Sequence, residues 1–128
     1  LSPATQHTVN VLLQVAGTDD CQQADESLRD RKNLILAASQ LSDLQPLGSL
    51  RQLETLVLSY NQIQDIAPLR NLTNLTALAL DTNQISDVQP LAGLTQLEVL
   101  AIDTNQIKSL APLRSLSRLA YLTIYDNQ

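Results

Sequence analysis

The sequence contains no phenylalanine, tryptophan or methionine, and it has only three tyrosines. Hydrophobic residues nevertheless make up 44% of the 128 positions, which is enough apolar volume for the core of one domain. That core must be built mainly from leucine, with help from isoleucine, valine and alanine. So narrow a choice of core residues indicates a repetitive structure.

Cysteine, histidine and glycine are also scarce, which excludes several kinds of functional site. The single cysteine, Cys21, cannot form a disulfide within the chain, and one cysteine with one histidine cannot supply a structural zinc site. Three glycines form no phosphate-binding loop, and no pattern of nucleophile, base and orienting group stands out. We therefore predict no enzyme activity, no cofactor and no metal. We expect Cys21 to be buried and His7 to be solvent-exposed without a catalytic role.

Basic residues are outnumbered, with 8 Lys and Arg against 13 Asp and Glu and a formal net charge of −5. Nucleic acids and anionic membrane surfaces bind clustered Lys and Arg, so we expect neither as a partner. No apolar run approaches the roughly 18 residues of a membrane span, so membrane insertion is not expected. No signal peptide is visible, and the start at Leu1 rather than Met suggests a trimmed or processed chain.

What the sequence does have is a repeat that keeps its register along the chain. Two apolar columns hold Leu34, Leu56, Leu78, Leu100 and Leu122, and Leu36, Leu58, Leu80, Ile102 and Ile124. Two further columns hold Asn61, Asn83, Asn105 and Asn127, and Pro46, Pro68, Pro90 and Pro112. The spacing in every column is 22 residues. A fixed period of this length predicts a stack of similar structural units.

Each unit predicts one short strand and one tight turn. Leu56, Val57 and Leu58 form the predicted strand, with Leu56 and Leu58 pointing inward. The asparagine that follows can donate and accept hydrogen bonds where the chain leaves the sheet. The proline excludes a long helix but can open a short helical turn. Residues placed to cap that turn are Asp43, Asp65, Asp87 and Ser109.

The segment from Ser2 to Arg31 does not follow the repeat. Apolar residues at helical spacing between Ser2 and Gly17 predict one helix, and a second is expected from about Asp20 to Arg31. We therefore expect a helical N-terminal cap over residues 1–32. Residues 33–128 would hold the repeats, about four and a half 22-residue units with the last one truncated.

Three successive units, LETLVLSYNQIQDIAPLRNLTN, LTALALDTNQISDVQPLAGLTQ and LEVLAIDTNQIKSLAPLRSLSR, resemble the leucine-rich repeats of bacterial internalins. The resemblance covers residues 34 to 128, and the first unit departs from it at Ser39, where the asparagine is missing. It implies an α/β fold: a right-handed β/α solenoid with a parallel sheet on the concave side, short 3-10 turns on the convex side and a helical N-terminal cap. It also implies that the sheet binds a protein partner, and that the protein is secreted or on the cell surface rather than cytoplasmic.

The candidate partner-binding residues are the outward-facing strand positions, because these are free of core packing. They comprise Thr55, Val57, Ser59, Tyr60, Asp81, Thr82, Val99, Asp103, Thr104, Tyr121, Tyr125 and Asp126. Tyrosine suits an interface anchor, and a stripe of aspartates favours a partner with a basic surface. A calcium site between Asp81 and Asp103 is a weaker alternative, because two carboxylates are too few ligands. The glutamines expected to hydrogen-bond between coils are Gln40, Gln62, Gln84, Gln106 and Gln128.

Two other functions are compatible with the same repeats. The array could be an intracellular regulatory or scaffolding segment of a larger multidomain protein, or a structural spacer. A secretion signal and anchor in the flanking sequence would favour the surface-binding function, whereas an appended catalytic domain would favour regulation.

Overall fold

The computed structural model describes residues 1–127 and consists of two α-helices followed by five coils. The helices are α1 (Pro3–Ala16) and α2 (Cys21–Arg29). The strands are β1 (Asn33–Ile35), β2 (Thr55–Val57), β3 (Ala77–Ala79), β4 (Val99–Ala101) and β5 (Tyr121–Thr123). The 3-10 turns between them are η1 (Gln45–Leu47), η2 (Ala67–Asn71), η3 (Gln89–Leu91) and η4 (Ala111–Ser115).

The strands form one parallel sheet in the order in which they occur along the chain. Leu34 pairs with Leu56, and Leu56 with Leu78, so the period of the sequence is also the register of the sheet. Strand-like pairing extends past each strand, since the Tyr60 amide donates to the Asp81 carbonyl at 3.0 Å. The predicted solenoid, its parallel sheet and its 3-10 turns are confirmed. The strand predicted at Leu56 begins one residue earlier.

The predicted inward columns form a continuous leucine core. Leu56, Leu58 and Leu80 have no exposed surface, because each lies between the coils before and after it. In the last coil, Leu122 and Ile124 are 37% and 39% exposed, since no coil within the described residues packs on the far side of β5. Burial of these side chains depends on neighbouring coils, as in other repeat proteins.

The asparagine column joins successive coils from inside the turns. The Asn83 amide nitrogen donates to the carbonyls of Leu58 and Leu80, both at 3.0 Å, and its oxygen accepts the Ile63 amide at 3.1 Å. Asn61 and Asn105 make equivalent bonds. The predicted structural role of these residues is confirmed.

On the convex side, each proline lies at the start of its 3-10 turn, as predicted. The preceding carboxylate or hydroxyl accepts the amide two residues on, for example Asp65 Oδ1 from the Ala67 amide at 2.8 Å. The turns alternate along the array, since η1 and η3 have three residues and η2 and η4 have five. The position that is Arg70 and Arg114 in the longer turns is Gly48 and Ala92 in the shorter ones.

The two N-terminal helices pack together and α1 contacts the first coil. Helix α1 begins after Ser2, whose side chain accepts the Thr5 amide, and ends at Gly17 in the left-handed conformation (φ 72°). The predicted bounds of α1 are confirmed, whereas α2 ends at Arg29, two residues before the predicted end. Neither helix of the described residues is long and apolar enough to cross a membrane.

Two expectations for these helices are wrong. Cys21 is exposed, because it is the first residue of α2, whereas the buried positions are Ala24 and Leu28, one and two turns further on. His7 is half-buried rather than solvent-exposed, and its Nε2 lies 2.8 Å from the Ser39 carbonyl of the first coil. The histidine therefore attaches the helix to the repeats.

The glutamine column makes the expected hydrogen bonds between coils, but mainly through its backbone rather than its side chains. The inter-coil bonds run through its backbone, as in the Gln84 amide to the Ile63 carbonyl at 2.9 Å. The one inter-coil side-chain bond of this column found in residues 1–127 joins Gln84 to Gln64 at 3.0 Å. These side chains are exposed, where water competes for their amides, and Gln128 lies outside the described residues.

Candidate functional site

The concave face of the sheet carries the outward-pointing side chains in four columns. The first two columns are Asn33, Thr55, Ala77, Val99 and Tyr121, and Ile35, Val57, Ala79, Ala101 and Thr123. The third and fourth are Ala37, Ser59, Asp81, Asp103 and Tyr125, and Ala38, Tyr60, Thr82, Thr104 and Asp126. Every predicted partner-binding residue falls in one of these columns.

The first two columns form an uncharged floor. At its centre, Ala77, Ala79 and Ala101 are small and half-buried. Larger side chains lie towards both ends, with Ile35 and Tyr121 each 70% exposed. The floor is therefore lowest around Ala77, Ala79 and Ala101, with Val99 (42% exposed) beside them, and higher at the first and last coils.

Three side chains of the third column, Ser59, Asp81 and Asp103, are hydrogen-bonded rather than free. Ser59 Oγ donates to Asp81 at 2.6 Å. Asp103 accepts the Thr123 hydroxyl at 2.6 Å and the Tyr125 amide at 3.0 Å, and only 7% of its surface is exposed. The expectation that Asp103 is free of structural duty is wrong, because its carboxylate joins the fourth coil to the fifth. Asp81 is half-buried and Asp126 is exposed.

The fourth column has a backbone conformation that few residues adopt. Tyr60, Thr82 and Thr104 have φ values of 59°, 57° and 53°, in the left-handed region that disfavours β-branched side chains. Each lies directly before the asparagine that turns the chain out of the sheet. The turn aims these side chains outward from the end of the strand, and Tyr60 is 63% exposed.

The three tyrosines do not form one cluster. Tyr121 and Tyr125 lie on the fifth coil, where they are 70% and 67% exposed, and Tyr60 lies on the second. Three strand spacings separate the two coils, about 14 Å. The tyrosines therefore stand at two places on the concave face, with the small floor residues between them.

Ile35 is an exposed apolar residue of this face that the sequence prediction missed. The sequence did indicate its position, because Ile35 lies one repeat before Val57, which was predicted to face outward. In the structure the two residues pair in the sheet. Ile35 was overlooked because the first coil departs from the repeat after the strand, at Ser39. The alanines of the floor, Ala77, Ala79 and Ala101, were also missed because small residues carry no recognition chemistry of their own.

Carboxylates border the floor at both ends of the strands. Glu54 and Glu98 directly precede β2 and β4, and Asp81 and Asp126 follow the strand ends. Lys32 reaches Glu54 at 3.7 Å, and both side chains are largely exposed, so the pair is weak. Arg70 and Arg114 belong to the 3-10 turns on the opposite side. The concave face is thus mainly acidic at its borders and uncharged in its centre.

No group of three or more His, Cys, Asp or Glu side chains within the described range is arranged to hold a metal ion. The weaker calcium alternative therefore gains no support from the third ligand it would need. Buried side-chain nitrogen and oxygen atoms of residues 1–127 all have hydrogen-bond partners. This face offers apolar surface, hydroxyl groups and carboxylates for contact with another molecule.

Comparison of the sequence with protein families gives a match to leucine-rich repeats in pairs, over residues 32–71, 51–93 and 73–115. No curated protein sequence matches the chain.

Solved structures similar to this chain include two internalins of Listeria monocytogenes. The internalin InlF has a TM-score of 0.77 and 26% identity, over 98% of this chain and 46% of its own. Internalin C2 has a TM-score of 0.70 and 30% identity, over 98% of this chain and 75% of its own. A leucine-rich-repeat protein of Leptospira interrogans has a TM-score of 0.75 and 28% identity, over 82% of this chain and 28% of its own. The chain spans about half the length of InlF.

Proposed function

This chain belongs to the leucine-rich-repeat proteins and is of the bacterial, internalin-like type, and from that membership we propose that its concave face binds a protein partner. Proteins of this family are generally interaction modules. The observation that supports the concave face is the exposure of Ile35, Tyr60 and Tyr121 on a sheet whose backbone is already hydrogen-bonded. Large apolar and aromatic side chains on a rigid support are typical binding anchors.

The proposed contact residues are those of the sequence prediction with two changes. Asp103 is assigned to the framework, because its carboxylate is buried and hydrogen-bonded, and Ile35 is added. Binding, rather than catalysis, is the proposed activity, and neither a cofactor nor a metal is assigned to it. Residues 1–32 are proposed to cap the first coil and residues 33–128 to form the repeats.

The test places one large side chain in the middle of the floor. Ala79→Arg fills the centre of the concave face, and we expect it to abolish partner capture by the immobilised chain while circular dichroism stays unchanged. Ala92→Arg is the matched control, because Arg70 and Arg114 already occupy this position in the neighbouring turns of the convex side. Partners would be identified by mass spectrometry. Equal capture by the two variants would show that the concave face is not the binding surface.

We also propose that the protein acts outside the bacterial cytoplasm, on the cell surface or after secretion. The similarity to Listeria internalins supports this location. Protease added to intact cells that express the native gene should remove a surface-bound form, as detected with an antibody against the repeats, and a secreted form should be found in the medium. Recovery of the intact protein only after cell lysis would contradict the proposal.

A further inference from the structure

The floor of the concave face has the shape and chemistry of a receptor for one kind of segment. Across the five strands its side chains are uncharged, with small alanines in the centre and Ile35 and Tyr121 at the ends. Exposed or half-exposed carboxylates stand at both ends of the strands, including Glu98 on one side and Asp81 on the other. A complementary segment therefore has an apolar stripe with positive charge along both sides.

The backbone of such a segment must satisfy its own hydrogen bonds. The centre of the floor, over the third and fourth coils, offers only alanine and valine side chains, and the strands behind it are already paired with their neighbours. An extended segment laid on this floor would leave unpaired amides and carbonyls against an apolar surface, which is costly. An α-helix pairs these groups internally.

The dimensions fit one helix. A rise of about 3.3 Å per residue places the column of Glu54 about 17 Å from that of Ser59, which leaves room for a helix about 10–12 Å wide. Five strands about 4.8 Å apart span about 19 Å, which corresponds to about 13 residues of α-helix. The depression over Ala77, Ala79 and Ala101 would receive a large apolar side chain near the middle of that helix.

Building on the proposed function, we propose that the partner segment is an amphipathic α-helix long enough to cross all five strands. Its apolar stripe lies across the strands on the floor, and Lys or Arg residues on both sides of the stripe face Glu98, Asp81 and Asp126, whereas Glu54 is already paired with Lys32. Charge complementarity of this kind sets orientation and speeds association, while the apolar stripe supplies most of the affinity.

Three designed peptides test the inference on the full chain. The first has Leu at helical spacing with Lys on both flanks, the second has the same composition with Leu and Lys alternating, and the third has Glu in place of Lys. We expect the first to perturb the backbone amides of β2 to β4 in nitrogen-15 spectra and to become helical when bound. We expect at least tenfold weaker binding of the second and no binding of the third. Equal affinity of the first two, or shifts confined to the convex turns, would overturn the inference.

A matched pair of double variants tests the role of the carboxylates. Asp81→Asn with Glu98→Gln removes two charges from the borders of the floor, and Asp19→Asn with Glu26→Gln removes two exposed charges from the N-terminal segment. We expect the first pair to weaken the helical peptide at least fivefold at low salt and to flatten its salt dependence. We expect no change from the second pair, and equal loss in both pairs would contradict the model of two charged borders.

The outcomes separate this inference from the proposed function. If Ala79→Arg abolishes capture of a natural partner but the helical peptide does not bind at millimolar concentration, the helical partner is wrong and concave binding stands. If Ala79→Arg has no effect on capture and the peptide does not bind, both are wrong.

Discussion

Each buried asparagine connects three backbone segments that would otherwise have unpaired polar groups. Asn83 serves the Leu58 carbonyl of the preceding strand, the Leu80 carbonyl of its own strand and the Ile63 amide of the preceding turn. These groups lie inside the stack, away from water. A side chain with both a donor and an acceptor is required, which explains why the position does not vary after the first coil.

We predict that Asn83→Ala lowers the free energy of unfolding by roughly 2–4 kcal/mol, because it leaves several buried backbone groups without partners. Urea denaturation followed by circular dichroism measures the loss. Gln84→Ala, at the exposed neighbouring position, is the control and should stay within about 0.5 kcal/mol of the parent chain. A loss below about 1 kcal/mol for Asn83→Ala would mean that water replaces the amide.

In the fourth column of the concave face, where φ is positive, we predict a substitution that increases stability. Thr82 has φ 57°, a conformation that disfavours a β-branched residue and that asparagine tolerates. Thr82→Asn should therefore raise the free energy of unfolding by about 0.5–1 kcal/mol. Thr55→Asn, on the extended strand β2, is the control and should lower it, because asparagine is disfavoured in strands. Destabilisation by both changes would show that the Thr82 side chain contributes more than its backbone costs.

At the residue scale, the sequence predicted which side chains face out but not which of them bond to each other. Asp103 and Asp81 stand in the same column, yet only Asp103 is buried. Its carboxylate accepts hydrogen bonds from the Thr123 hydroxyl and the Tyr125 amide of the fifth coil. The contact depends on the rotamer of a residue one coil away, which periodicity does not encode. Positive φ at Tyr60 and Thr82 was equally hidden, since neither residue type favours that conformation.

Among the elements, helix α1 is attached to the repeats by polar contacts that replace those of an additional coil. Thr8 has no exposed surface, and its hydroxyl donates to the Asp43 carbonyl at 2.6 Å. The Thr5 hydroxyl donates to the Asp43 carboxylate, and His7 contacts the Ser39 carbonyl. Ser39 stands where later coils have asparagine, so the helix takes over part of the bonding at this end.

We predict that Thr8→Val lowers the free energy of unfolding by about 1–2 kcal/mol, because it keeps the shape of the side chain and removes its hydroxyl. Hydrogen exchange should show the loss of protection mainly in α1 and the first coil, since coils of a repeat protein interact with their nearest neighbours. Gln6→Ala, an exposed change on the same helix, is the control. Uniform loss of protection over all five coils would argue against local attachment.

The elements were predicted well wherever they depend on period or on local chemistry. The strands, the proline-initiated turns and the bounds of α1 follow from inward leucines, from the fixed φ of proline and from the Ser2 and Gly17 termini. The orientation of α2 was predicted less well. Cys21 was expected to be buried, but a helix this short buries only the turns that reach its neighbour, which hold Ala24 and Leu28.

For the whole molecule, stability should depend on position in the stack more than on residue type. Leu78 and Leu122 occupy the same column, and they are 2% and 37% exposed. Leu78 is enclosed by coils on both sides, whereas Leu122 has a neighbouring coil on one side within the described residues. Truncation of the two side chains therefore removes different amounts of packing although the chemical change is the same.

We predict that Leu78→Ala lowers the free energy of unfolding by about 3 kcal/mol and Leu122→Ala by about 1 kcal/mol, because the cost of a cavity grows with the packing around it. Chemical denaturation of the two variants measures the difference. Leu78→Ala should also weaken the contacts of the third coil with both neighbours, so that hydrogen exchange increases on either side of β3, whereas Leu122→Ala should affect mainly the fourth and fifth coils. Equal losses, with the same exchange pattern in both variants, would mean that the array unfolds as one unit in which position has no effect.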